Sequence, residues 1–131
     1  MSELKNKRVL IVDDEEDLTA VLALRLSAGW GFSVSVAHDG AEGTRKASVF
    51  KPDVILLDLA MPRVDGWEMC RRLRDNPDTR HIPLVIMTAC VTKGVTERAA
   101  QEGASKVLLK PIADVELLSV LREHAGAAER R

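Results

Sequence analysis

Five polar residues stand at places where their types are costly unless they do chemistry. The apolar run Val54-Ile-Leu-Leu57 stops at Asp58, and Arg8-Val-Leu-Ile-Val12 stops at Asp13 and Asp14. Ile82 to Met87 closes at Thr88, and Lys106 to Leu109 closes at Lys110. An acid buried among apolar side chains is expensive, so each polar residue belongs at the exit of its run, where water or a cation can reach it. A lone Asp58 is as readily a turn acid or a helix cap. The full set of strand ends is what argues for a site.

Three carboxylates gathered within a few ångströms repel one another. At an effective dielectric near 20, a pair about 5 Å apart costs roughly 3 kcal/mol, so the cluster needs a cation or shifted pKa values. Oxygen-only ligands select a hard ion, and a few carboxylates beside open water positions suit Mg²⁺ better than a full Ca²⁺ cage. A lysine and a hydroxyl beside such an ion make a receptor for a phosphoryl group. A carboxylate can itself be the nucleophile and form an aspartyl-phosphate. Asp58 is the best placed for that, since it is alone on its run while Asp13 and Asp14 can share the metal.

Bringing these residues together requires strands that all point the same way. Arg8–Val12 reads as a first strand, followed by a helix with Leu18, Val21, Leu22 and Leu26 at helical spacing and acids in its first turn. Gly29, Gly31 and the Trp30/Phe32 pair end that helix. Ser33 to Ala37 alternates as a second strand, and Asp39 with Glu42 marks the start of a helix running to about Phe50. Val54 to Asp58 is the third strand. Asp65-Gly-Trp-Glu68 is a second cap signature, and Met69, Cys70 and Leu73 mark the buried side of the helix behind it. Ile82 to Met87, a weak helix over about Lys93 to Glu102 anchored by Val95 and Ala99, Lys106 to Leu109, and a last helix to about His124 complete the chain. Strands alternating with helices imply right-handed crossovers and a parallel sheet covered on both faces. In such sheets, ligands bind outside the carboxyl ends of the strands, where all five polar residues would lie.

Composition bounds the reading. With 131 residues, 46% hydrophobic and 30% charged, the chain is an ordinary globular domain. A net charge of −1 argues against nucleic-acid binding through bulk charge. Arg71, Arg72 and Arg74 alternate with an apolar helical face and read as solvated. Two cysteines without metal spacing suggest no disulfide scaffold, and no segment reads as a signal peptide or membrane span. The expectation is a reduced, cytoplasmic, single domain over residues 1–131, with a core of about 7–124.

The residues Val12-Asp13-Asp14, Pro52 to Asp58, Met61-Pro62 with Asp65-Gly66, Thr88-Ala89 and Lys110-Pro111, in this order and at these separations, resemble the receiver domain of bacterial two-component response regulators. The resemblance spans nearly the whole chain. It implies a flavodoxin-like (CheY-like) fold, a five-stranded parallel sheet of order 2-1-3-4-5 with helices on both faces. It implies that Asp58 accepts phosphate from a sensor histidine kinase or a histidine phosphotransfer protein. Asp14, Asp58 and the Ala60 backbone carbonyl would ligate Mg²⁺, with Asp13 acting mostly through water. Thr88 would hydrogen-bond a phosphoryl oxygen, Lys110 would pair with the phosphate, and Lys110-Pro111 would be a cis peptide. Output would be protein–protein contact through the fourth helix, fifth strand and fifth helix, with no direct part for nucleic acid or membrane. Such a domain catalyses only its own phosphorylation and dephosphorylation.

Three departures qualify the resemblance. Receivers usually carry Tyr or Phe where Val107 stands, so the usual coupling between threonine and aromatic cannot operate in its ordinary form. The expected alternative is movement of the Thr88–Lys93 loop and the weak helix after it. Ala60 and Cys90 occupy positions that tune access of hydrolytic water in the family, and neither side chain orients water well, so a slow loss of phosphate is expected. Ala60 also counts against a Mg²⁺-dependent aspartyl-phosphate phosphatase, which needs an acid at that place. The five intact site residues count against a degenerate receiver that binds partners without being phosphorylated. Elsewhere the bland readings stand: Glu15, Glu16 and Asp17 as helix-start charges, Cys90 as a semi-buried small hydrophobe, Trp67 as a packing residue, and His38, His81 and His124 as surface residues; Arg63 is either a solvated loop arginine or a contact to substrate phosphate or a partner.

Overall fold

The computed structural model describes residues 5–59 and 66–127, with side chains to residue 125. Ala60, Met61-Pro62, Arg63 and the expected cap at Asp65 lie outside the described residues. The elements are β1 (Arg8–Val12), α1 (Glu16–Leu24), β2 (Ser33–Ala37), α2 (Gly40–Phe50), β3 (Val54–Asp58), α3 (Gly66–Asp75), β4 (Leu84–Thr88), α4 (Lys93–Gln101), β5 (Lys106–Leu109) and α5 (Asp114–Ala127). The five strands form one parallel sheet in the order β2-β1-β3-β4-β5. No helix among the described residues is long and apolar enough to cross a membrane.

Successive strand residues point to opposite faces, so the sheet feeds two cores. Val9, Ile11, Val54, Leu56, Val85 and Met87 face Leu26, Leu117 and Leu121 of the α1 and α5 side. Leu10, Val12, Ile55, Leu57 and Ile86 face Ala47, Met69, Cys70, Leu73 and Ala99 of the α2, α3 and α4 side. β3 is buried along its whole length, which is why it reads as a continuous apolar run rather than an alternation.

α1 departs from the expected face. Leu18 and Val21 are 61% and 56% exposed. The inward line is Thr19, Leu22, Ala23 and Leu26, which keeps the helical period but shifts its phase by one residue. Thr19 can take an inward place because its hydroxyl donates to the Glu15 carbonyl oxygen at 2.6 Å and is satisfied there. The helix then widens into a π-helical turn over Arg25–Gly29, and Gly31, at φ +85°, ends it in the left-handed conformation that glycine adopts freely.

Smaller differences have equally local causes. β4 begins at Leu84 rather than Ile82, because Ile82 closes a turn onto Thr79 and Pro83 has no N–H to give a ladder. α5 runs to Ala127, three residues past its expected end. The cap of α2 forms as expected, with Asp39 Oδ1 accepting the Glu42 N–H at 2.8 Å, though Glu42 Oε1 reaches back one residue further, to the His38 N–H at 2.7 Å.

α4 is the lightly anchored helix. Among its side chains only Ala99 is buried, and Val95 is half-buried. Much of its attachment is polar: the Arg98 guanidinium lies 4.8 Å above the Trp67 ring, and Glu102, 13% exposed, meets Arg74 at 3.0 Å and Arg71 at 3.5 Å. Gly103, at φ +86°, ends the helix.

Gly66 brings the start of α3 against the chain leaving β3, its N–H donating to the Leu59 carbonyl oxygen at 3.4 Å. A Cβ there would meet the Leu59 Cα at 2.8 Å and the Asp58 carbonyl oxygen at 3.2 Å, both backbone atoms with little room to yield. Gly66→Ala is therefore expected to destabilise the domain by about 1–3 kcal/mol through overpacking, read as a lower urea midpoint at unchanged m-value. A midpoint equal to the wild type would show that the Asp58–Leu59 backbone gives way freely.

Candidate functional site

The parallel register places the polar residues at one edge. Val12 pairs with Leu57, and Asp58 pairs with Met87, so Asp13 and Asp58 leave neighbouring strands at nearly the same level. The ladder continues one residue past the strands: the Asp13 N–H donates to the Ala37 carbonyl at 3.0 Å, and the Lys110 N–H to the Thr88 carbonyl at 2.8 Å. These backbone bonds hold the site residues at the sheet rather than on free loops.

Asp13 and Asp58 are each only 6% exposed, while Asp14 faces solvent. One carboxylate oxygen from each of the three lies within 4.8 Å of the others. Lys110 Nζ donates to Asp13 Oδ2 at 2.8 Å and stands 3.6 Å from Asp58 Oδ2. The other Asp13 oxygen accepts the Glu15 N–H at 3.0 Å, a local turn at the start of α1. Burial alone would lower the pKa of Lys110, but the hydrogen bond to Asp13 and the charges of Asp13, Asp58 and Glu15 outweigh it and raise the ammonium above its ordinary value. The peptide joining Lys110 to Pro111 is cis.

The donor set is all oxygen and carries excess negative charge even with Lys110 present. It fits a small hard divalent cation reached from the exposed Asp14 side. Beside it runs a groove of about 400 Å³, with Leu18, Leu22 and Ile112 among its apolar walls and Asp13, Glu15 and Lys110 at its polar end.

Asp13, Asp14, Asp58 and Lys110 thus converge, as their places at strand ends suggest. Thr88 shares the edge, but its hydroxyl is turned to the following loop, donating to the Cys90 carbonyl oxygen and accepting the Cys90 N–H, both at 3.3 Å. Ala60 cannot be placed, since it lies outside the described residues. Cys90 is exposed rather than semi-buried. Cys70 is the buried thiol, pushed up to about 12 by burial and then by the charge of Glu102. Trp67 is half-buried, as a packing residue should be. His38 is not a free surface residue: its Nδ1 lies 3.2 Å from the Asp13 carbonyl oxygen. The signal for it was positional, because the Val12–Ala37 pairing carries the next residues, 13 and 38, into adjacency.

Known proteins share both the sequence pattern and the architecture. Residues 9–122 match the sequence model of the response regulator receiver domain. Response regulator PleD of Caulobacter vibrioides is 44% identical over 115 residues, covering 88% of this chain and 25% of PleD, so the chain spans about a quarter of that relative's length. The crystal structure of the receiver domain of sensor histidine kinase PA1611 from Pseudomonas aeruginosa PAO1, which has a magnesium ion coordinated in its active site cleft, superposes with a TM-score of 0.84 at 29% identity, over 92% of this chain and 98% of that one. Chemotaxis protein CheY4 of Vibrio cholerae gives a TM-score of 0.85 at 28% identity, over 91% and 98%. With its five-stranded order and acidic strand-end cluster, the chain belongs to the response regulator receiver domains of two-component systems.

Proposed function

We propose that this domain accepts a phosphoryl group on Asp58 from a phosphohistidine of a sensor histidine kinase or histidine phosphotransfer protein. The observation that carries the proposal is the convergence of three carboxylates within 4.8 Å, two of them bridged by Lys110, at the carboxyl edge of a parallel sheet. An Asp58 carboxylate oxygen attacks phosphorus, a P–O bond forms as the P–N bond breaks, and the imidazole leaves with the electron pair and takes up a proton. Lys110, already 3.6 Å from Asp58, offsets the charge gathering on the phosphoryl oxygens. The Thr88 hydroxyl would turn from Cys90 to donate to one of them.

Mg²⁺ held by Asp14 and Asp58, with the Ala60 carbonyl as the expected third protein ligand, would neutralise charge between acceptor and donor. Asp13 already gives one oxygen to Lys110 and the other to the Glu15 N–H, which favours a role through water rather than direct ligation. Exposed Cys90 and the methyl of Ala60 offer nothing to orient a hydrolytic water, which favours a long-lived phosphate. The domain would act in the cytoplasm and signal by protein contact.

Intact-mass measurement after acetyl phosphate and Mg²⁺ is expected to show one phosphoryl adduct on the wild type and none on Asp58→Asn. An unmodified wild type would favour a receiver that binds partners without phosphorylation, and an adduct surviving in Asp58→Asn would move the acceptor elsewhere.

Because Lys110 holds its proton more tightly in the folded state, its stabilising contribution is complete below the ordinary lysine value of 10.5 and is lost as pH rises through the raised folded value. Urea unfolding at increasing alkaline pH should therefore fall more steeply for the wild type than for Lys110→Met. Parallel profiles would mean that the ion pairs with Asp13 and Asp58 contribute nothing net.

The signal would leave through the Thr88–Lys93 loop and α4, since Thr88 is bonded to that loop and α4 is lightly anchored. Amide shifts on binding a phosphoryl analogue should concentrate between residues 88 and 102. Changes spread evenly over the domain would rule the route out.

A further inference from the structure

His38 follows β2 directly, next to Asp13 in the continued β1–β2 register. Its Nδ1 is 3.2 Å from the Asp13 carbonyl oxygen. A carbonyl oxygen can only accept, so Nδ1 carries the hydrogen. The residue is held from behind by the first turn of α2. Its own N–H donates to Glu42 Oε1 at 2.7 Å, and the Glu42 N–H is in turn taken by Asp39 Oδ1 at 2.8 Å. That N–H from His38, with help from the charge of Lys46 and against the opposing effect of burial, holds the Glu42 carboxyl below its ordinary value, so the buttress is a carboxylate.

The carbonyl His38 touches belongs to the peptide unit joining Asp13 to Asp14. The Asp13 side chain has restraints of its own in Lys110 and the Glu15 N–H. Asp14 is exposed, and the direction in which its carboxylate leaves the chain follows from the plane of the peptide before it. A tilt of that plane would move Asp14 away from the point shared with Asp13 and Asp58.

We infer that His38 is a positioning residue for the acid pair: by donating from Nδ1 to the Asp13 carbonyl it fixes the Asp13–Asp14 peptide and so sets the affinity of the site for Mg²⁺. The inference rests on the metal reading given above. His38 acts through the peptide and touches neither the ion nor the phosphoryl group. Partners that orient a metal's ligands are commonly worth about 10–100-fold in affinity, and a backbone restraint of this kind belongs at the low end.

Calorimetric titration with Mg²⁺ at one fixed pH tests this on the wild type, His38→Ala and His38→Asn. Asparagine can place an amide N–H close to the position of Nδ1. The expected result is affinity about tenfold weaker in His38→Ala and restored to within about twofold in His38→Asn. A readout without metal accompanies it: the Asp14 amide belongs to the same peptide unit, so its ¹⁵N and ¹H shifts should move in His38→Ala and return in His38→Asn. Wild-type affinity in His38→Ala, or no recovery in His38→Asn, would overturn the role of His38. A wild type that binds no Mg²⁺ would instead overturn the metal reading, and the inference with it.

Discussion

Two carboxylates buried at the end of a parallel sheet, with a third beside them, repel one another unless a cation stands among them or a proton is taken up. Lys110 is that cation in the domain as described, 2.8 Å from Asp13 and 3.6 Å from Asp58. Reaching it constrains much of the fold. β5 must lie beyond β4 for Lys110 to follow the Thr88 carbonyl, β3 must lie between β1 and β4, and all must run the same way. Two independent cores on the faces of the sheet then supply the rigidity. The edge itself contributes little apolar burial and can be spent on charge.

That separation also explains where polar residues are tolerated inside. Thr19 is buried in α1 with its hydroxyl returned to its own helix, and Thr79 is buried with its hydroxyl on the Leu73 carbonyl at 2.7 Å. Among the described residues, no buried side-chain nitrogen or oxygen lacks a hydrogen-bond partner.

Much of this was legible in the amino-acid order. Apolar runs that stop at Asp13, Asp58, Thr88 and Lys110 announce both the strands and the polar edge they share, since few other arrangements accommodate those junctions. The order of the strands came from family resemblance rather than periodicity, which reports elements and not their neighbours. Three things escaped for identifiable reasons. The phase of α1 turned on Thr19, whose burial depends on a hydroxyl bond that composition does not reveal. The role of His38 turned on a contact with backbone, which no spacing of side-chain types can show until the β1–β2 register is known. The orientation of the Thr88 hydroxyl toward Cys90 is of the same kind: residue type places the group, and only the loop decides where it points.

The polar attachment of α4 to α3 separates two kinds of stability. Opening the sheet exposes apolar area on both faces at once and is a global event. Loosening α4 withdraws one alanine from the core and exchanges the contacts of Arg98 with Trp67 and of Glu102 with its arginines for water. Its free energy is set by charges near the surface, so dissolved ions reach it while leaving the core nearly untouched. Ionic strength therefore acts on this helix as a dial separate from those that govern folding of the domain as a whole.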